Sequence, residues 1–180
     1  ATRVLDCGAM GIVFPHVDDA NTAKKLVSYC LFPPKGHRSM TGSLPQLNFV
    51  PTPISEVATT INDSLIIVMM LESPEAINNV EDIAAISGVD VLLIGTNDLC
   101  MEMGIPGDYA NPKIKEAYRK VSQACTKFGK TPGMGGVYSE ELMSEYIGMG
   151  MKFILSGSDL SFMMNSAKQR SDNIRSFQKK

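Results

Sequence analysis

The sequence predicts an α/β fold whose strands lie parallel in one sheet. Short apolar, β-rich runs alternate strictly with longer stretches of helical period, as consecutive βαβ units require. Two of those runs, Leu65 to Leu71 and Val89 to Ile94, are continuously apolar, the pattern of strands buried on both faces of a parallel sheet. A cap followed by proline opens two of the helices, at Ser73-Pro74 and Asn111-Pro112. A doubly wound sheet and part of a (β/α)₈ barrel both satisfy this pattern, and periodicity does not choose between them.

Taken in order, Gly11 to Val17 is the first strand. Behind Asp18 and Asp19, apolar residues recur at Ala23, Leu26, Val27, Cys30 and Leu31, the spacing of one helical face. Phe32 to Gly42 is irregular, because Pro33, Pro34 and two glycines forbid regular structure. Thr52-Pro53 opens a short helix to about Asn62, and Leu65 to Leu71 is the second strand. The helix begun at Pro74 stops before Gly88, and Val89 to Ile94 is the third strand. Ile114, Ala117, Tyr118, Val121, Ala124, Cys125 and Phe128 mark one face of the next helix, which Gly129 ends. Thr131 to Val137 is a glycine-rich strand, and Ser139 caps a helix that stops at Gly150. Phe153 to Ser156 is the last strand, and Ser158 and Asp159 start a final helix with a polar tail. This gives five strand–helix units with no linker, read as a single domain over residues 1–180.

Composition narrows the function. Lys and Arg number 17 against 19 Asp and Glu, and without a basic cluster the chain is no nucleic-acid module working by phosphate neutralisation. The longest apolar run, Leu65 to Leu71, is far short of the roughly 18–20 residues of a membrane span. No secretory pattern opens the sequence. Cys7, Cys30, Cys100 and Cys125 never approach CxxC spacing, and three of them lie in apolar or helical patterns. Reduced cysteines in a cytoplasmic protein are the expectation.

In either architecture, function gathers at the carboxyl ends of the strands. Glu72 follows the second strand directly, and Asp98 follows the third after the turn Gly95-Thr96-Asn97. Two carboxylates on one rim suit a hard divalent cation whose shell water and substrate complete; helix-starting acids favoured by the macrodipole also fit. Gly95, Thr96 and Asn97 offer backbone amides to a substrate carboxylate. Arg38, in the proline-rich loop, can clamp an anionic group bidentately or satisfy local carbonyls. His16, at the end of the first strand, is an acid/base candidate or a hydrogen-bonded structural residue. No GxGxxG or P-loop pattern occurs, and no Ser–His–Asp or Cys–His arrangement stands out.

The strings LDCGAMGIVFPHVDDANTAKKLV, PPKGHRSMTG, VMMLESPEAINNVEDIAAISGVDVLLIGTNDLCMEMG and MKFILSGSDLSFM resemble the HpcH/HpaI aldolase family, closest to its fungal macrophomate-synthase-like members. The resemblance runs from Leu5 to Ala167, and its most specific part is a Glu at one strand end followed at the next by IG-x-x-DL. It implies a (β/α)₈ TIM barrel, of which this chain holds units four to eight. It implies Glu72 and Asp98 as metal ligands, and Gly95 and Asn97 in the turn that seats the pyruvate carboxylate. The cofactor it implies is a divalent metal, Mg²⁺ first, with Mn²⁺ or Co²⁺ as alternatives. The final helix, residues 158–180, exchanges between protomers in such enzymes, whose assembly is a hexamer built from dimers. Two departures stand out. Met70 replaces a glutamine common near the ligands, and the units carrying the family's His–Asp base and its carboxylate-clamping Arg are absent, so no catalytic residue is assigned.

The expected function is a metal-dependent carbon–carbon lyase, aldolase or decarboxylase, acting on a small 2-oxo acid (pyruvate, oxaloacetate or a 4-hydroxy-2-oxo acid) through a metal-held pyruvate enolate. Without the base, decarboxylation of oxaloacetate is expected to outlast aldol cleavage, because it needs only the electron sink. The rival readings are a partial barrel subunit without catalysis and an acyl-CoA lyase of the citrate-lyase type; no basic patch for CoA phosphates is visible.

Overall fold

In the computed structural model, which describes residues 1–177, five strands form one parallel sheet in the order β1-β2-β3-β4-β5. The elements are α1 (Thr2–Asp6), β1 (Gly11–Phe14), α2 (Ala20–Cys30), α3 (Ile54–Ser64), β2 (Ile66–Leu71), α4 (Pro74–Asn78), α5 (Val80–Ala84), β3 (Val91–Gly95), α6 (Thr96–Glu102), α7 (Pro112–Phe128), β4 (Thr131–Gly135), α8 (Glu140–Gly148), β5 (Phe153–Ile154) and α9 (Asp159–Ser176). Each strand pairs with the next in sequence, the neighbour rule of consecutive βα units.

Local chemistry fixes the helix starts. Asp19 accepts from the backbone N–H groups of Asn21 and Thr22 at the head of α2, and Ser73 accepts from Ala76 ahead of Pro74 in α4. Asn111 caps α7, whose last turn closes on Gly129 at φ 65, a left-handed position that glycine adopts freely. Ser158 and Ser161 cap α9 reciprocally.

Several elements differ from the sequence reading, β4 and β5 by ending two residues early. The segment after Ser73 breaks at Asn79 into α4 and α5, and Gly95-Thr96-Asn97 is no free turn because α6 begins at Thr96. α1 and a 3₁₀ turn at Pro45–Leu47 lie in stretches too short for periodicity to register. β1 stops at Phe14, ahead of Pro15 and a His16 at φ 53. The final helix is described through Ser176 with Phe177 at its cap; residues 178–180 of the predicted helix lie outside the described residues.

The sheet has two unlike faces. Ile67, Met69, Leu71, Leu92 and Ile94 pack under the helices with Val27, Ile61, Ile83, Ile114 and Val121 in the main core. On the other face Val68, Val91 and Leu93, flanked by Met70 and Phe153, form a separate apolar band. No helix residue joins that band, and Ile66 at its start is exposed. The expectation that Leu65 to Leu71 is buried on both faces therefore holds along one face and only in part along the other. β1 and β5 each have one neighbour among the described residues. α9 buries no residue against the rest of the chain and exposes Leu160, Phe162, Met163, Met164 and Ile174. Cys30, Cys100 and Cys125 are buried free thiols and Cys7 is exposed. No helix among the described residues is long and apolar enough to cross a membrane.

Candidate metal and substrate site

Glu72 stands at the first position beyond β2 with only 4% of its surface exposed. A buried carboxylate normally has a cation beside it, yet among the described residues no Lys or Arg forms an ion pair with it. Its Oε2 accepts the backbone N–H of His16 at 2.9 Å, and the His16 ring Nδ1 lies 3.3 Å from the same oxygen. Asp98, in the first turn of α6, is near enough for its charge to act on Glu72. Burial holds the Glu72 carboxyl above the usual carboxylate range. The His16 contacts oppose that rise, and the charge of Asp98 adds to it.

Gly95 makes room for this arrangement. A Cβ there would stand 2.6 Å from both Cγ and Oε1 of Glu72. The carboxylate thus occupies the space a side chain would take, and its Oε1 faces the end of β3. Two neighbouring carboxylates, one of them buried and without a Lys or Arg partner among the described residues, have the donor chemistry that a hard divalent ion takes. The residues present therefore fit the metal that the family resemblance implies. Among the described residues no group of three or more His, Cys, Asp or Glu stands ready to surround an ion, so substrate oxygens and water must complete most of the shell.

The other predicted site residues fall into two groups. Thr96 and Asn97 join the carboxylates at the carboxyl edge, with different tasks. Thr96 is buried, donating to the Gly135 carbonyl at 2.7 Å and sharing a 2.8 Å hydrogen bond with the Tyr118 hydroxyl, so its side chain is spent on structure. Asn97 is exposed, and its Oδ1 accepts from the Tyr109 hydroxyl. Arg38 is not brought to this group. It lies near the amino ends of the strands, fully buried, donating to Asp6 at 2.8 Å and resting over the Phe32 ring. The loop folds there because His37 and Arg38 donate their backbone N–H groups to Ser28 and Leu31 at the end of α2. In this chain Arg38 ties the loop to α1 and stands apart from Glu72 and Asp98.

His16 is what sequence reasoning under-weighted. Its place at a strand end was visible, but the left-handed turn that carries it onto Glu72 was not.

A parallel sheet built from successive βα units, with its polar residues gathered at the carboxyl edge, defines the class of α/β scaffolds whose chemistry sits at the strand ends. The sequence pattern of the HpcH/HpaI aldolase/citrate lyase family matches residues 1–166, and the chain belongs to that family. A 4-hydroxy-4-methyl-2-oxoglutarate aldolase of Chaetomium globosum is 39% identical over 168 residues, covering 92% of this chain and 62% of that protein. The chain thus spans less than two thirds of that relative. An HpcH/HpaI aldolase from Desulfitobacterium hafniense superposes with a TM-score of 0.88 at 29% identity, over 97% of this chain and 67% of that one. Macrophomate synthase superposes at 0.73 with 27% identity, over 97% of this chain and 62% of its own.

Proposed function

We propose that this chain forms the metal-binding part of a divalent-metal-dependent lyase that cleaves or decarboxylates small 2-oxo acids by way of a pyruvate enolate. The observation that carries the reading is the buried Glu72 beside Asp98, with Gly95 cleared for it and no Lys or Arg among the described residues paired with it. The curated relative named above acts on a 4-hydroxy-2-oxo acid, which supports the substrate class.

Glu72 and Asp98 would hold the ion, which when bound supplies a Lewis acid for charge developing on the substrate's oxygens. The backbone at Gly95, Thr96 and Asn97 seats the substrate's carboxylate, and Thr96 fixes that backbone through Gly135 and Tyr118. His16 holds Glu72 in its orientation through the backbone N–H. No group of this chain is assigned the proton transfer of aldol cleavage, so decarboxylation of oxaloacetate is the reaction expected of it.

The five-stranded sheet would be units four to eight of a (β/α)₈ barrel. Its apolar second face and its single-neighbour edge strands support that reading. The exposed apolar side chains of α9 support an exchange of that helix between protomers in a homo-oligomer, a hexamer built from dimers in the family's manner.

The test is Mg²⁺- or Mn²⁺-dependent release of pyruvate from oxaloacetate, with the free metal's background subtracted, for this chain and its Glu72→Ala variant. Turnover lost in the variant supports the reading. Equal turnover in both, or none above background, refutes it for the chain alone.

A further inference from the structure

We propose that a cavity at the amino edge of the sheet, at the opposite end of β2 from Glu72, is a second binding site that takes a small organic acid with an apolar body. The cavity opens between α2, the loop behind it, the end of α3 and the turn from α5 to β3. It holds about 730 Å³, within the roughly 300–1,000 Å³ of small-molecule sites. Ile67 in its wall and Glu72 are separated by most of β2, roughly 17 Å at about 3.3 Å per strand residue. Buried Val27, Leu31, Leu65 and Ile67 supply the apolar lining. The loop that brings Lys35 and His37 to the wall is held at both sides: His37 donates its backbone N–H to the Ser28 carbonyl at 2.7 Å, and the next residue, Arg38, is buried on Asp6.

The polar groups of the lining decide the sign of the ligand. Asp63 pairs with Lys35 at 2.7 Å, and Asp90 accepts the Ile67 N–H at 2.8 Å, so both carboxylates are engaged. Asn62 is spent in both directions on the Phe32 backbone. Lys24, by contrast, forms no ion pair among the described residues. His37 meets the Ser28 hydroxyl through Nδ1 at 2.7 Å. A neutral ring that accepts there carries its own proton on Nε2, which leaves that N–H free for a ligand. An ammonium and an imidazole N–H therefore remain unspent beside an apolar wall. A carboxylate answers the first two, and a hydrocarbon body answers the third.

The experiment titrates octanoate, octanol and octylamine separately into the full chain carrying ¹³C-labelled Ile, Leu and Val methyl groups, followed by NMR. Octanoate is expected to shift the methyls of Val27, Leu31, Leu65 and Ile67 to saturation. Octylamine, of equal length and opposite charge, should bind roughly tenfold weaker. Lys24 is exposed on α2, so Lys24→Gln leaves the fold intact; it should weaken octanoate about fivefold, the worth of one solvent-accessible charge contact, and leave octanol unchanged. His37→Gln should weaken octanoate in the same direction. Equal affinity for octanoate and octylamine, or full octanoate affinity in both variants, overturns the acid as the ligand class. Shifts absent from the cavity methyls, or confined to Val68, Leu93 and Leu160 on the other apolar surfaces, overturn the cavity as the site.

Discussion

Gly95→Ala isolates the geometry of the carboxylate from its chemistry. The added Cβ would meet Glu72 Cγ and Oε1 at 2.6 Å and Cδ at 3.0 Å. Restoring ordinary contact pushes the carboxylate back by about 0.8 Å, against a tolerance of about 0.2 Å in metal–ligand distances. Gly95 sits at φ −85, so alanine adds no left-handed strain, and the insult falls on Glu72. Overpacking of this kind costs about 1–3 kcal/mol, and in a domain of this size each kcal/mol lowers Tm by about 2–4 °C. Metal affinity is expected to fall at least tenfold, read by Mg²⁺ or Mn²⁺ calorimetry alongside thermal melts. Gly133→Ala is the control, because its Cβ would press on the Phe153 carbonyl at 2.9 Å and on Leu93, on the same sheet but away from Glu72. It should lose comparable stability and keep its metal affinity. Wild-type affinity in Gly95→Ala, or equal losses in the two variants, would refute the reasoning.

The remaining predictions address separate parts of the fold. Glu72→Gln should melt higher than the unaltered chain in EDTA, by a margin that widens from pH 5 to pH 8. The raised folded pKa means the stability lent by a protonated Glu72 is complete below its unfolded value near 4.5 and is lost as pH rises through the folded one; a margin independent of pH would contradict this. Thr96→Val strands the buried Tyr118 hydroxyl and leaves the Gly135 carbonyl without its donor, so urea unfolding should show a loss of about 1–3 kcal/mol. Arg38→Met should lower stability by removing the Asp6 pair and the Phe32 contact, with metal affinity unchanged in calorimetry; a change in metal affinity would return Arg38 to the site. Removal of residues 158–180 should reduce the mass measured by analytical ultracentrifugation with little change in Tm, because α9 buries nothing against its own chain.

The fold was most legible where apolar pattern and capping chemistry coincide. α7 could be bounded to the residue, since Asn111-Pro112 starts it and Gly129 must end it. β2 and β3 were plain from their continuous apolar runs. α6 was hidden because its first residues, Gly95-Thr96-Asn97, carry turn chemistry and no side-chain cap, and tertiary bonds from Thr96 hold its start. The rim positions of Glu72 and Asp98 could be read because one directly follows a strand and the other lies three residues beyond one. The place of Arg38 could not, because a proline-rich loop has no period from which to read a direction, and its anchor Asp6 lies 32 residues away in sequence. The approach of His16 to Glu72 depends on one backbone angle that no residue type announces.

Because every strand pairs only with its neighbours in sequence, the sheet behaves as a short one-dimensional array whose middle is held from two sides and whose ends are held from one. Glu72 and Asp98 rise from β2 and from the helix after β3, both in the doubly held interior, whereas His16 hangs from β1, a four-residue terminal strand. Opening events therefore reach the two halves of the site at different free energies. Hydrogen exchange should be fastest along β1 and β5 and slowest along β3. Any strand that docks on the free edge of β1 raises the opening cost of that strand, and with it the persistence of the His16–Glu72 contact. The carboxylates belong to the rigid centre, and the histidine to the margin where a further strand can stiffen it.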